Sequence, residues 1–494
     1  MKGIEVKVKF FVVVAIMLLG LLPVSAWAGA WEDSGLWLKN GVPVVNTDEN
    51  KLDIYGRAQL SGTGEIVPDP KAGHQRVYLF LNEARMGLKG QYEDAFKYDM
   101  QLDFGGESIN GSNTNMSLLD MVADIPLRVV GQNTILKIGQ FRVPYSREGL
   151  TDEGYMDFTD PSIANAAAFQ GRDYGLALMD NFGNIRGTVG TFTGGGRNVP
   201  QRYLPETIGI PYLVARVGYD DGADVDIYHV VGTDRDLKRD SKAFYVNGIY
   251  MADTRIGHST ALGVHTIDDN LLINPNYNPY LKWGDTTASN GALGSATTLE
   301  RGQMFFLGTD GVVRHYIDAT HSLETEYEGN WGGYQNRFGV IHIASARAQV
   351  QYKSGKFEFG LRYAILSMDD NAGFIIGSAA AAAQNPAYAT KVGGTNASGA
   401  YVYNERMGTP IHEITPSLTY HFKNDHLKVV ASLPLYLNAP LWIDNADGTY
   451  VFTDPTPSGA TTLTTDEGSV LQTAGNSTVR RTIPEARLMF QFQF

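Results

Sequence analysis

The fold this 494-residue sequence predicts is all-β: a transmembrane antiparallel β-barrel of about sixteen to eighteen strands, with short turns at one end and long loops at the other. Three observations predict it. The C-terminus alternates in hydropathy with a period of two, the same alternation returns along most of the chain, and the connections between the alternating segments fall into two length classes.

The final segment is the clearest. In Pro484–Phe494, Ala486, Leu488, Phe490, Phe492 and Phe494 fall on one face, and Glu485, Arg487, Gln491 and Gln493 on the other. A strand of this kind has an apolar face that must be covered by something other than water. In a soluble protein that cover is a second layer, and in an outer-membrane barrel it is lipid.

The N-terminus is consistent with export. Lys2, Lys7 and Lys9 precede an apolar run from Phe10 to Leu22, and Ala26, Trp27 and Ala28 supply the small-x-small pattern of a cleavage site. Residues 1–28 are thus expected to be a signal peptide, because the apolar run is shorter than a helical span requires. Residues 29–50 are expected to form a short periplasmic segment and residues 51–494 the barrel. No comparable apolar run follows, as a barrel requires, since alternating strands hide their apolar residues from a hydropathy window.

Composition narrows the alternatives. The chain has no cysteine, which excludes disulfides, thiolate metal sites and cysteine nucleophiles. Its 55 glycines and 26 tyrosines suit turns and interfacial girdles. A formal charge of -13 argues against nucleic acid as a partner.

The alternation then locates the strands. Leu52–Leu60 is apolar or small at even positions and polar at odd ones, and Phe96–Phe104 repeats the pattern. Candidate strands fall near 52–60, 76–90, 95–104, 117–129, 134–142, 173–181, 184–193, 211–220, 223–232, 242–252, 257–267, 308–318, 321–331, 338–353, 356–369, 411–422, 427–437 and 482–494. Sixteen remain if two weak segments, such as 223–232 and 308–318, are not strands. Short turns such as 91–94, 180–183, 354–355 and 423–426 alternate with loops 61–75, 143–172, 268–307, 370–410 and 438–481. Sorting by parity is how outer-membrane barrels are built, and a soluble sandwich has no reason to do it.

A barrel of this size cannot fill its lumen with wall side chains alone, so an aqueous channel follows. Its selectivity would depend on lumenal charge and on any loop folded inward. The candidate loop follows Gly139, Gln140, Phe141, Arg142, Val143, Pro144, Tyr145 and Ser146. Pro144 cannot donate to a ladder, so pairing should end near it and the chain should leave the wall. The loop then carries Arg147, Glu148, Asp152, Glu153, Asp157 and Asp160 before Arg172, a mixed charge set expected at the constriction.

These residues also carry a family likeness. Gly139, Gln140, Phe141, Pro144, Tyr145 and Ser146 resemble a segment of the phosphate-selective porin O and P family, and Gly171–Gly175 is similar to the family's return strand. Glu83–Gly90 adds a weaker likeness. The resemblance implies an outer-membrane pore for passive diffusion of small hydrophilic solutes, with phosphate-like anions as cargo and outer-membrane lipid around it. It leaves a homotrimer open. Barrels of similar layout also serve in some metal-respiring bacteria as sheaths for multihaem cytochromes. That is the alternative reading, with the haem belonging to a partner because the chain lacks Cys-x-x-Cys-His.

Applied to the wall, the alternation puts Arg57, Arg85, Lys89, Lys97, Lys137, Arg186, Arg216, Arg314, Arg347, Arg362 and Arg487 in the lumen. It puts Asp53, Glu83, Asp99, Asp103, Asp224, Asp226, Asp318, Glu324, Glu326, Glu328, Glu358, Glu413 and Glu485 on the same side. Neither sign dominates. Arg57, Arg85, Lys137, Arg142 and Arg147 form the candidate set for solute contact. His412 and Glu413, being adjacent, should face opposite sides and so make a poor metal pair. No P-loop, nucleophile elbow or ordered triad is present, and neither enzymatic activity nor a cofactor is expected. The glycines at 194–196 read as a turn.

Overall fold

The computed structural model describes residues 41–47, 49–66, 77–105, 116–128, 133–166, 171–193, 212–221, 239–252, 302–336, 339–368, 373–376, 401–404, 410–423, 426–440, 442–444, 450–452 and 480–494. The signal peptide, the candidate strands 223–232 and 257–267, and the turn at 194–196 lie outside them.

Sixteen antiparallel wall strands close into a barrel. They are β1 (Asn50–Glu65), β2 (Val77–Tyr92), β3 (Phe96–Asp103), β4 (Ser117–Pro126), β5 (Ile135–Arg142), β6 (Arg172–Phe182), β7 (Ile185–Phe192) and β8 (Tyr212–Asp220). The second half comprises β9 (Ser241–Met251), β10 (Gly302–Tyr316), β11 (His321–Asn336), β12 (Gly339–Ser354), β13 (Phe357–Met368), β14 (Ile411–Lys423), β15 and β16 (Arg480–Gln493). Strand β15 is one wall position made of Leu427–Ser432 and Leu435–Pro440, interrupted around Pro434, which lacks the N–H a ladder needs. Each strand pairs with its sequence neighbours, and β16 pairs back onto β1. A short segment, Val42–Asn46, lies antiparallel to the start of β1.

Among the described residues, these sixteen wall positions close the sheet on themselves. Strand β8 pairs directly with β9, and β9 with β10. The segment 308–318, one of the two expected to be dispensable, is instead wall strand β10. Its end at Tyr316 corrects the expected position of Asp318, which sits in the following turn and not on the lumenal face. There its carboxylate accepts from the backbone N–H of Thr320 at 2.7 Å, and this bond, with those to the His321 ring and the Thr320 hydroxyl, lowers its pKa. The parity rule holds with two exceptions. The β8–β9 connection is long although it lies at the short-turn end, and only residues 337 and 338 separate β11 from β12 at the other.

The alternation sorts the two faces as membrane residence demands. Leu79, Val189, Val217, Val246, Phe359, Phe490 and Phe492 are exposed on the outside. Arg57, Gln59, Glu326, Glu328, Arg347, Arg362, Glu413, Arg487 and Gln491 are buried on the inside. The interior is therefore where the tightly packed side chains lie, and what packs them is a loop.

One glycine is required by backbone shape. Gly139 has φ 134°, and a Cβ there would lie 2.0 Å from the Met121 carbonyl oxygen. The strand breaks its alternation at this point: Lys137 and Gln140, three positions apart, are both buried, and Gln140 donates to the carbonyls of Leu118 and Leu119.

Candidate functional site: the lumenal loop

Strand β5 ends at Arg142, and the chain leaves the wall as Pro144 predicts. The Val143 N–H makes one last bond to the Gly171 carbonyl, and the chain then crosses the lumen. Helix α1 (Arg147–Leu150), a 3-10 turn (Glu153–Tyr155) and helix α2 (Ile163–Ala166) form along the way. Ser146 caps α1 at φ 69°, accepting from the Gly149 N–H at 3.1 Å. Val143, Tyr145, Leu150, Phe158, Ile163 and Ala164 are buried, and α2 packs against β12 and β13. The loop thus folds inward.

Polar docking fixes its far side. The Tyr145 hydroxyl donates to Asn330 Oδ1 at 3.0 Å, and Ser146 Oγ lies 2.6 Å from Glu328 Oε1. Glu328 Oε2 also accepts from the Glu148 N–H at 3.0 Å. Glu148 in turn accepts from the Ser162 N–H and hydroxyl. Glu413 on β14 accepts from the Ile163 N–H at 2.9 Å and from Arg362 at 2.6 Å. Thus the Tyr145–Ser146 pair of the motif is received by the Glu328–Asn330 face of β11.

The five candidate bases do not form one group. Arg57, Arg85 and Arg142 converge on the tip of the loop. Arg57 pairs with Glu83 at 2.7 Å and with Asp152; Arg85 reaches Glu83 at 2.8 Å and Glu153 at 2.7 Å; Arg142 pairs with Glu153 and donates to the Gly149 and Thr151 carbonyls. Arg57 and Arg85 are directly opposed across β1 and β2, a repulsive register that the surrounding carboxylates offset. Lys137 stands apart, 2.9 Å from Asp124 on its neighbour strand. Arg147 lies across the lumen, beside Asp310 and Glu326.

Two mixed networks result. Around the loop tip, Arg57, Arg85, Arg142 and Arg172 meet Glu83, Asp103, Asp120, Asp152 and Glu153. Across the lumen, Arg147, Arg216, Arg347 and Arg362 meet Glu148, Asp310, Glu326, Glu328 and Glu413. Among the described residues, each holds one carboxylate more than guanidinium. Burial alone would raise the Glu153 pKa, but Arg142 and Arg85 hold it well below the usual carboxylate range; Asp152 is lowered similarly, chiefly by Arg57.

Sequence reasoning missed Asp120, Asp124 and Asp310 as partners, although the alternation that exposed Arg314 would also have found Asp310. His412 and Glu413 do face opposite sides: the first meets the Tyr363 hydroxyl at 2.8 Å and the second is buried in the lumen.

No curated protein matches the chain. Among solved structures it is similar to OmpT, an outer membrane protein of Vibrio cholerae, at 9% identity and TM-score 0.46 over 91% of this chain and 99% of that one. It is similar to the outer membrane channel DcaP of Acinetobacter baumannii at 11% identity and TM-score 0.44, over 92% and 100% of the two chains. For OprB of Pseudomonas putida the identity is 10% and the TM-score 0.48, over 90% and 94%. Residues 70–191, which hold β2–β6, nearly all of β7 and the inward loop, match the model of Phosphate-selective porin O and P.

Proposed function

We propose that the chain forms a water-filled channel through the outer membrane for passive diffusion of small hydrophilic solutes. The observation that carries this is the charged loop held across the lumen of a closed sixteen-strand barrel whose outer face is apolar. Barrels of this size leave an aqueous path, and a loop pinned inside one narrows that path without closing the wall. Planar-bilayer recording of the purified protein tests it: stepwise unitary currents are expected, and their absence from correctly folded protein would remove the reading.

The family match adds phosphate as cargo, with Arg57, Arg85, Lys137, Arg142 and Arg147 as its contacts. All five bases are engaged by carboxylates, so support for phosphate comes from the family match and not from a run of uncompensated positive groups. Phosphate block of the chloride current checks it. A homotrimer, as the family likeness admits, is checked by cross-linking in detergent. Export with cleavage after about Ala28 is part of the same proposal and is checked by the intact mass of the membrane form. Neither the family match nor the structural neighbours support the cytochrome sheath.

A further inference from the structure

We infer that the constriction prefers cations, and that Asp152, Glu153 and Asp160 set that preference; the inference rests on the channel reading above and stands against the phosphate cargo, so the test below decides between them. Two independent features of the loop point to it.

The first is which partner of each ion pair meets water. The Arg85 side chain is 3% exposed and that of its partner Glu153 15%. Arg487 is 3% exposed and its partner Asp160 22%. Arg57 and Asp152 follow the same order. In these loop-to-wall pairs the wall guanidinium lies deeper and the loop carboxylate is presented to the lumen. An ion passing the loop therefore approaches the negative member first, and the positive charge acts from further away through the pair.

The second is how the wall cations spend their donors. Arg362 donates to the Asp160 carbonyl at 2.8 Å, Lys428 to the Met156 carbonyl at 3.1 Å, and Arg142 to the Gly149 carbonyl at 2.8 Å. These N–H groups are turned into the loop's backbone and away from the water path. A phosphate passing the loop would have to displace those bonds. A hydrated cation has only to pass the carboxylates. The surplus of carboxylates in both networks adds to the field with the same sign.

The test is the reversal potential of the full-length protein in planar bilayers under a KCl gradient at neutral pH. A preference for potassium over chloride of about two- to fivefold is expected, the size of effect one nearby unit charge has in a wet, screened path. Asp160→Asn, the mildest change, should lose part of that preference while conductance persists, and Glu153→Gln should lose more. Heat-modifiable electrophoretic mobility shows whether each variant is folded, and Asp160→Asn keeps the test decisive if Glu153→Gln fails to assemble. Conducting channels that are unselective or chloride-preferring would overturn this inference and leave the channel standing. Folded protein that does not conduct would overturn both.

Discussion

Arg85 Nη1 and Glu153 Oε2 lie 2.7 Å apart, and this contact ties the second wall strand to the loop that crosses the lumen. Both side chains are largely removed from solvent, and Glu153 also serves Arg57 and Arg142. Glu153→Gln would leave three guanidiniums with one shared carboxylate fewer. Removing one partner of a buried pair costs about 3–5 kcal/mol, here reduced because Asp152 remains. Faster amide hydrogen exchange over residues 147–166, with unchanged protection of β11 and β12, is the expected result.

Acid should loosen the same loop. Because the folded pKa values of Asp152 and Glu153 are depressed, their stabilisation is fully present above the ordinary carboxylate range of about 4 and is lost as pH falls through the depressed values. Channel noise and loop exchange should therefore be flat from neutral pH down to about 5 and rise only below the ordinary range. A transition centred near neutrality would contradict this origin.

Gly139 should tolerate no side chain. Its φ is positive and the Met121 carbonyl oxygen stands 2.0 Å from where a Cβ would lie, so Gly139→Ala must distort the β4–β5 ladder. A loss of about 1–3 kcal/mol is expected, read as a lower urea midpoint of the folded electrophoretic form. Gly187, whose Cβ would meet nothing within 4 Å, is the matched control.

The outer face should reject charge by depth. Val246→Arg on β9 places a guanidinium on the exposed apolar side and should cost about 2–4 kcal/mol if the site is near the bilayer midplane. Folding yield into lipid vesicles measures it, and an unaffected yield would mean that this face does not meet lipid.

Much of this architecture was legible because a period of two is a local property. Phe490 and Phe492 outside, with Gln491 inside, follow from spacing alone, and so does the departure of the chain at Pro144. Local periodicity cannot say whether an alternating segment has a neighbour to pair with, which is why 308–318 reads as a weak segment and yet is wall strand β10, paired on both sides. Nor can it say what an inward loop meets. Tyr145 finds Asn330 across 185 positions, and Ile163 finds Glu413 across 250. Arg57, Arg85 and Lys137 lie inside, as the alternation expects, but the grouping of the candidate bases was not legible: Lys137 is claimed by Asp124 on the adjacent strand, and Arg147 is carried to the far wall by the direction α1 takes.

The seam between β1 and β16 sets when the barrel can exist. Gly56 and Phe494 exchange both backbone hydrogen bonds, at 3.1 and 2.9 Å, and Gln59 donates to Gln491 at 2.8 Å across 432 positions of sequence. Closing a loop of that length costs on the order of 5 kcal/mol in chain entropy, before any contact along the seam offsets it. The partner for β1 is synthesised more than 400 positions later, so an emerging chain can form hairpins but has no means of sealing the cylinder before residues 480–494 are available. Until then the edge of β1 from Arg57 to Glu65 is without its partner strand.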